Sequence, residues 1–282
     1  MKYIFQKMMF DQRDHELLRI VSSIQKSDNT HDYFKRHFYA YFHPRGIQEL
    51  SESRGMRIAY AVVYLLNSLE VGAMNERLSA LRLLRDEVFN ASESLFQRNT
   101  ARVLVQIMKE IVRAKSGYVR QFELAHEFRM AISGKPRIIR KLLRQYHLLE
   151  MPESWNQISF DDHVHDANTK GRKTSSHLIM DAWVKGIKKL RVIYYNYLEP
   201  RFVTELLEAA KIMGINVHIG IELPSLFHGK NAQFIWVPKG FLDAQAFLCF
   251  LADNRTAAFM KMGREVSNYQ KNCVIELLNS FN

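Results

Sequence analysis

The run Asp161-Asp162-His163-Val164-His165-Asp166 carries two imidazoles among carboxylates within six residues. In an extended chain, side chains two positions apart leave the same face, so His163 and His165 can reach one ion together. Glu222 closes a later apolar run and adds a carboxylate. Two imidazole nitrogens and a carboxylate oxygen form a ligand set for one divalent zinc, manganese or iron ion. Such an ion lowers the pKa of a bound water to about 7, which brings attack on a phosphoester or an amide within reach at neutral pH. The plainer alternative makes both histidines ordinary loop residues that cap turns with Asp161, Asp162 and Asp166. Lys170, Arg172 and Lys173 follow closely and are either a phosphate-binding trio, suited to a phosphorylated small molecule, or solvated loop cations. Tyr194, Tyr195 and Tyr197 either line a pocket or fill a buried strand. The sequence has no Walker-A run, no Gly-x-Gly-x-x-Gly fingerprint and no recognisable Ser/His/Asp or Cys/His spacing.

The elements that must position these residues form a strand–helix–strand–helix–strand unit over residues 158–222. Gln157-Ile158-Ser159-Phe160 reads as a short strand, with the histidines just past its end. Ser175-Ser176 caps a helix running to about Leu190, and Arg191–Tyr195 is a second strand. Glu199-Pro200 opens a helix over Arg201–Met213, which Gly214 ends as a C′ residue. Asn216–Glu222 is the third strand. Connections this short imply a parallel sheet with right-handed crossovers, whose ligands gather at the carboxyl ends of the strands. A Gly/Ser/Pro-containing loop then leads to a fourth strand, Gln233–Val237, and residues 242–281 read as helix.

Residues 1–150 read as a basic helical bundle. Apolar residues recur at three- and four-residue steps in Arg57–Leu69, Leu78–Phe89 and Ala101–Val112, with Asn75 and Asn99-Thr100 as expected N-caps. The formal charge is +11, and most of the excess lies here: residues 1–150 hold 25 Lys+Arg against 16 Asp+Glu, and residues 151–282 hold 15 against 13. Val119–Ile132 and Arg137–His147 flank a Gly134/Pro136 turn ringed by Lys135, Arg137, Arg140, Lys141 and Arg144. This is either a nucleic-acid reader resembling a helix-turn-helix or a two-helix corner with a solvated outer face, and the solvated corner is the simpler reading. Pro152 marks the change to the second domain, residues 151–282. Hydrophobic residues make up 47% of the chain, enough for a sizeable core. No apolar run approaches the roughly 18 residues of a membrane span, so no membrane role is expected. Cys249 and Cys273 form no disulfide framework, and with no leader pattern at Met1–Lys7 a cytoplasmic setting is expected.

The stretch Asp161-Asp162-His163-Val164-His165-Asp166-Ala167-Asn168-Thr169-Lys170-Gly171 resembles the opening motif of the polymerase and histidinol phosphatase (PHP) superfamily, roughly D-x-H-x-H-(T/S)-x-x-S-D-G. The likeness continues through Ala182–Gly186 and Ala210–Glu222, and more loosely through Leu251–Met260, so it covers residues 158–265. Residues 1–150 have no counterpart in it; for the rest it implies a partial (β/α) barrel of PHP/TIM type with parallel strands, so the expected whole is an α/β fold in which the helical bundle precedes that barrel. It also implies metal-dependent phosphoester hydrolysis, with His163, His165 and Glu222 as ligands. The chain departs from the pattern at Lys170, where the family has an Asp, and at Tyr194-Tyr195-Asn196, where it has Thr-Asp-His. Where the family often has a His after the next strand, this chain has Gln233-Phe234, and His228 on the intervening loop is a candidate to compensate. These departures favour a retained fold without its chemistry: a non-catalytic assembly or nucleic-acid-binding region of a larger protein, touching other parts of a longer chain or partner subunits. The rival is a phosphoesterase using one ion.

Overall fold

The computed structural model describes residues 12–26, 54–89, 95–114, 117–150 and 159–281, and the chain divides into two compact units. The first comprises residues 1–157 with Trp183–Gly186; the second comprises residues 158–182 and 187–282. No helix among the described residues is long and apolar enough to cross a membrane.

The first unit is built from α1 (Gln12–Lys26), α2 (Arg54–Val71), α3 (Met74–Phe89), α4 (Leu95–Arg113), α5 (Tyr118–Ile132) and α6 (Pro136–Gln145). Their apolar stripes, including Leu65, Leu81, Leu104, Ile107, Phe128 and Leu142, close into one buried core. Two expected caps are corrected. The start of α3 is Ala73, whose N–H donates to Glu76 Oε2 at 3.0 Å, so Asn75 lies inside the first turn. Asn99 sits within α4 and is buried, because its Oδ1 accepts from Arg102 Nη1 at 3.1 Å. The buried Arg102 also donates to the carbonyls of Leu149, Trp183 and Val184, satisfying peptide oxygens at the end of a helix. The α5–α6 corner forms as expected, with Gly134 at φ 63° and Pro136 in the first turn of α6.

The second unit carries β1 (Phe160–Val164), α7 (Ser175–Lys185, whose residues from Trp183 on belong to the first unit), β2 (Lys189–Tyr195), α8 (Pro200–Met213), β3 (Asn216–Phe227), β4 (Lys230–Trp236), α9 (Ala244–Ala252) and α10 (Asn254–Ser280). The sheet order is β1-β2-β3-β4, curled like half a barrel, with β1, β2 and β3 mutually parallel. The first strand lies further along than expected: it contains His163, while Gln157 and Ile158 fall outside the described residues. Helix α7 stops at Lys185 rather than near Leu190. Gly186 adopts φ 87°, its N–H donates to Trp183 O and that of Ile187 to Ala182 O, a paired arrangement that ends a helix. Gly214 closes α8 in the same left-handed conformation, as expected.

The largest difference lies after Glu222. The expected loop is a hairpin: β3 runs on to Phe227, turns through His228 (φ 49°) and Gly229 (φ 74°), and returns as β4 in antiparallel register. Two positive-φ residues make the tight turn whose twist suits paired strands. The fourth strand is therefore antiparallel, and the alternation of strand and helix expected of a wholly parallel barrel ends at β3.

Candidate metal centre

At the carboxyl end of the sheet, β1, β2 and β3 bring His163, His165 and Glu222 together, with their ligand atoms all within 4.8 Å of one another. The β1–β2 register slips between Asp161/Leu190 and Val164/Val192, which puts one extra residue on β1 just where the first histidine falls. Such a bulge re-aims side chains at the end of a strand. His163 Nε2 lies 3.2 Å from His165 Nε2 and 3.5 Å from Glu222 Oε2. Two ligands on a tetrahedral ion with bonds of about 2.05 Å stand roughly 3.3 Å apart, so both separations match its edges.

His165 Nδ1 is 2.8 Å from the carbonyl of Ile193, which can only accept, so Nδ1 is the donor and Nε2 is the nitrogen that faces the cluster. Glu222 is buried, with a side chain only 6% exposed, and its Oε2 accepts no hydrogen bond although His163 Nε2 is within ion-pair range. A buried carboxylate oxygen without a donor is costly, and a cation between it and the imidazoles removes that cost. The residues therefore fit a single ion.

Behind the histidines, the loop 166–174 is tied down by a carboxylate. Asp166 is fully buried and accepts from Ser175 Oγ (2.6 Å), Tyr194 Oη (2.8 Å), Asn168 N (2.9 Å) and Asn168 Nδ2 (3.0 Å). Burial, with the adjacent Asp166 carboxylate, pushes the Tyr194 phenol well above its ordinary pKa. Gly171 donates to Asp166 O at 2.8 Å, and a Cβ there would overlap the backbone of His165 and Asp166. The expected Ser175-Ser176 cap is corrected: Thr174 Oγ1 accepts from His177 N, while the Ser175 and Ser176 hydroxyls donate to Asp166 and Glu205.

The remaining residues separate. Lys170 Nζ meets Tyr195 Oη at 3.3 Å, and that oxygen lies 3.4 Å from His165 Nε2. Lys173 is engaged by Asp181, and Arg172 is exposed, so the three cations do not converge on one anion. His228 occupies the hairpin turn and is not in the ligand cluster. Tyr197 packs under Arg264 instead of joining the site. In the first unit, Lys135, Arg137, Arg140, Lys141 and Arg144 are all exposed on or beside α6, with Arg140 paired to Glu150. Sequence reasoning missed Asp166 as the centre of the loop and Tyr195 as the neighbour of His165. Strand alternation was the available signal, since Tyr194 and Tyr195 must face opposite sides of the sheet.

The chain matches no family model, no curated protein and no solved structure.

Proposed function

We propose that the second unit binds one divalent ion between His163, His165 and Glu222 and uses it to hydrolyse a phosphoester. The observation that carries this reading is the orphaned Oε2 of buried Glu222, 3.5 Å from His163 Nε2, which itself lies 3.2 Å from His165 Nε2, with the three ligand atoms all within 4.8 Å of one another. An ion held there supplies Lewis acidity toward a water and a phosphoryl oxygen. His165 is held in one tautomer by Ile193 O, Glu222 is fixed by its place in β3, and Lys170 stands beside the cluster as a cation for the substrate's charge. The likeness of residues 161–171 and 210–222 to the PHP pattern supports phosphoester over amide. The ion is zinc, manganese or iron, the set that two imidazoles and a carboxylate accept.

Elemental analysis tests this. The wild type, reconstituted separately with each ion, is expected to hold one equivalent, and His163→Ala/His165→Ala none. Wild-type protein that stays metal-free with all three ions would end the reading. A second role, contact with nucleic acid through α6, is favoured by the exposure of Lys135, Arg137, Lys141 and Arg144 on one short helix.

A further inference from the structure

Resting on the metal reading, we propose that Tyr195 supplies a fourth protein ligand to the same ion through its phenolic oxygen. Three observations converge. Tyr195 and Glu222 are register partners in the parallel β2–β3 ladder, so their side chains leave the same face of the sheet at the same level. Tyr195 Oη is 3.4 Å from His165 Nε2, matching the separations of 3.2 and 3.5 Å within the His163/His165/Glu222 cluster. The Tyr195 ring stacks on that of His165, with centroids 5.0 Å apart and planes 18° apart, which holds the oxygen beside the imidazole nitrogen.

A coordinated phenol gives its proton to bulk water as the oxygen–metal bond forms, leaving a negative oxygen. Lys170 Nζ, 3.3 Å from that oxygen and over the same ring, is placed to offset this charge. The pairing gives Lys170 a role other than holding substrate. It also changes which ion suits the site. Two imidazoles, a carboxylate and a phenolate fill a tetrahedral zinc ion, leaving no position for water. An iron or manganese ion, with five or six positions, keeps one open, and a second anionic oxygen favours the harder ion. The preferred occupant is therefore iron or manganese.

Iron(III) provides a direct readout, because a phenolate on ferric iron produces a visible charge-transfer absorption that imidazole and carboxylate do not. The experiment loads the full chain with iron(III), measures bound iron by elemental analysis, and records the visible spectrum of wild type, Tyr195→Phe and Tyr197→Phe. The expected result is iron and the band in wild type and Tyr197→Phe. Tyr195→Phe should lack the band and bind iron at least about tenfold more weakly. Iron bound without the band in wild type, or a band that survives in Tyr195→Phe, overturns the proposal while leaving the three-ligand site intact. Failure of the wild type to bind zinc, manganese or iron overturns the metal reading, and this one with it.

Discussion

Glu222 carries a cost in the metal-free protein that the site explains. Its Oε2 is buried and accepts no hydrogen bond. Glu222→Gln keeps the shape and removes the uncompensated charge, so the metal-free variant should be as stable as wild type or more stable by about 1 kcal/mol. The same variant should lose the stabilisation that added metal gives the wild type. Urea unfolding with and without metal checks both, and a metal-free variant destabilised by more than wild type's error would count against the arrangement. Tyr194 makes a separate prediction. Its folded-state pKa is raised above the ordinary 10.0, so the stabilisation is complete below pH 10. Above pH 10 the unfolded chain releases the proton while the folded one keeps it, and stability falls as pH rises. Tyr194→Phe should lose about 1–2 kcal/mol at pH 8, because Asp166 loses a donor, and show a shallower decline from pH 10 to 11. Equal slopes in urea titrations of the two proteins would refute the assignment.

Among the elements, the end of β2 depends on α10. Asn196 adopts φ 63°, donates its N–H to Glu222 O at 2.9 Å, and sends Nδ2 to Ser267 Oγ and Gln270 Oε1 on α10. Gly263 lets α10 lie directly against Asn196, since a Cβ there would overlap its carbonyl oxygen. Gly263→Ala should therefore cost about 2 kcal/mol or more through overpacking and weaken metal binding, because the segment it displaces anchors Glu222. A variant with an unchanged urea midpoint would show that α10 does not set this contact. The helices and the parallel strands were legible in the sequence because apolar period and helix-stopping glycines such as Gly214 act locally. The β3–β4 hairpin was not. Its turn needs positive φ at His228 as well as Gly229, and Pro224 and Ser225 look like loop residues until pairing with Gln233 and Ala232 makes them strand.

At the scale of the whole molecule, the charge of +11 is concentrated in the first half of the chain, and α6 exposes Lys135, Arg137, Lys141 and Arg144 together. If these meet phosphates, affinity for a DNA duplex should fall steeply with salt, with a log–log slope of about −0.9 per contact. Replacing the four by Gln should flatten that slope by about three to four. Fluorescence anisotropy across a salt series measures it, and a slope unchanged by the substitutions would remove α6 from any interface. The sequence by itself determined the helices among the described residues of the first half, the order of β1, α7, β2, α8 and β3, and the pairing of His163 and His165. Those follow from local periodicity and from spacing along one strand. Only the tertiary structure decided that Glu222 meets those histidines with an oxygen that accepts no hydrogen bond, that Tyr194 turns to Asp166 while Tyr195 turns to His165, and that Lys170 and Lys173 part company. Those outcomes depend on strand register, a bulge and burial, which join residues, most of them about 25 to 60 positions apart, and leave no periodic mark on the chain.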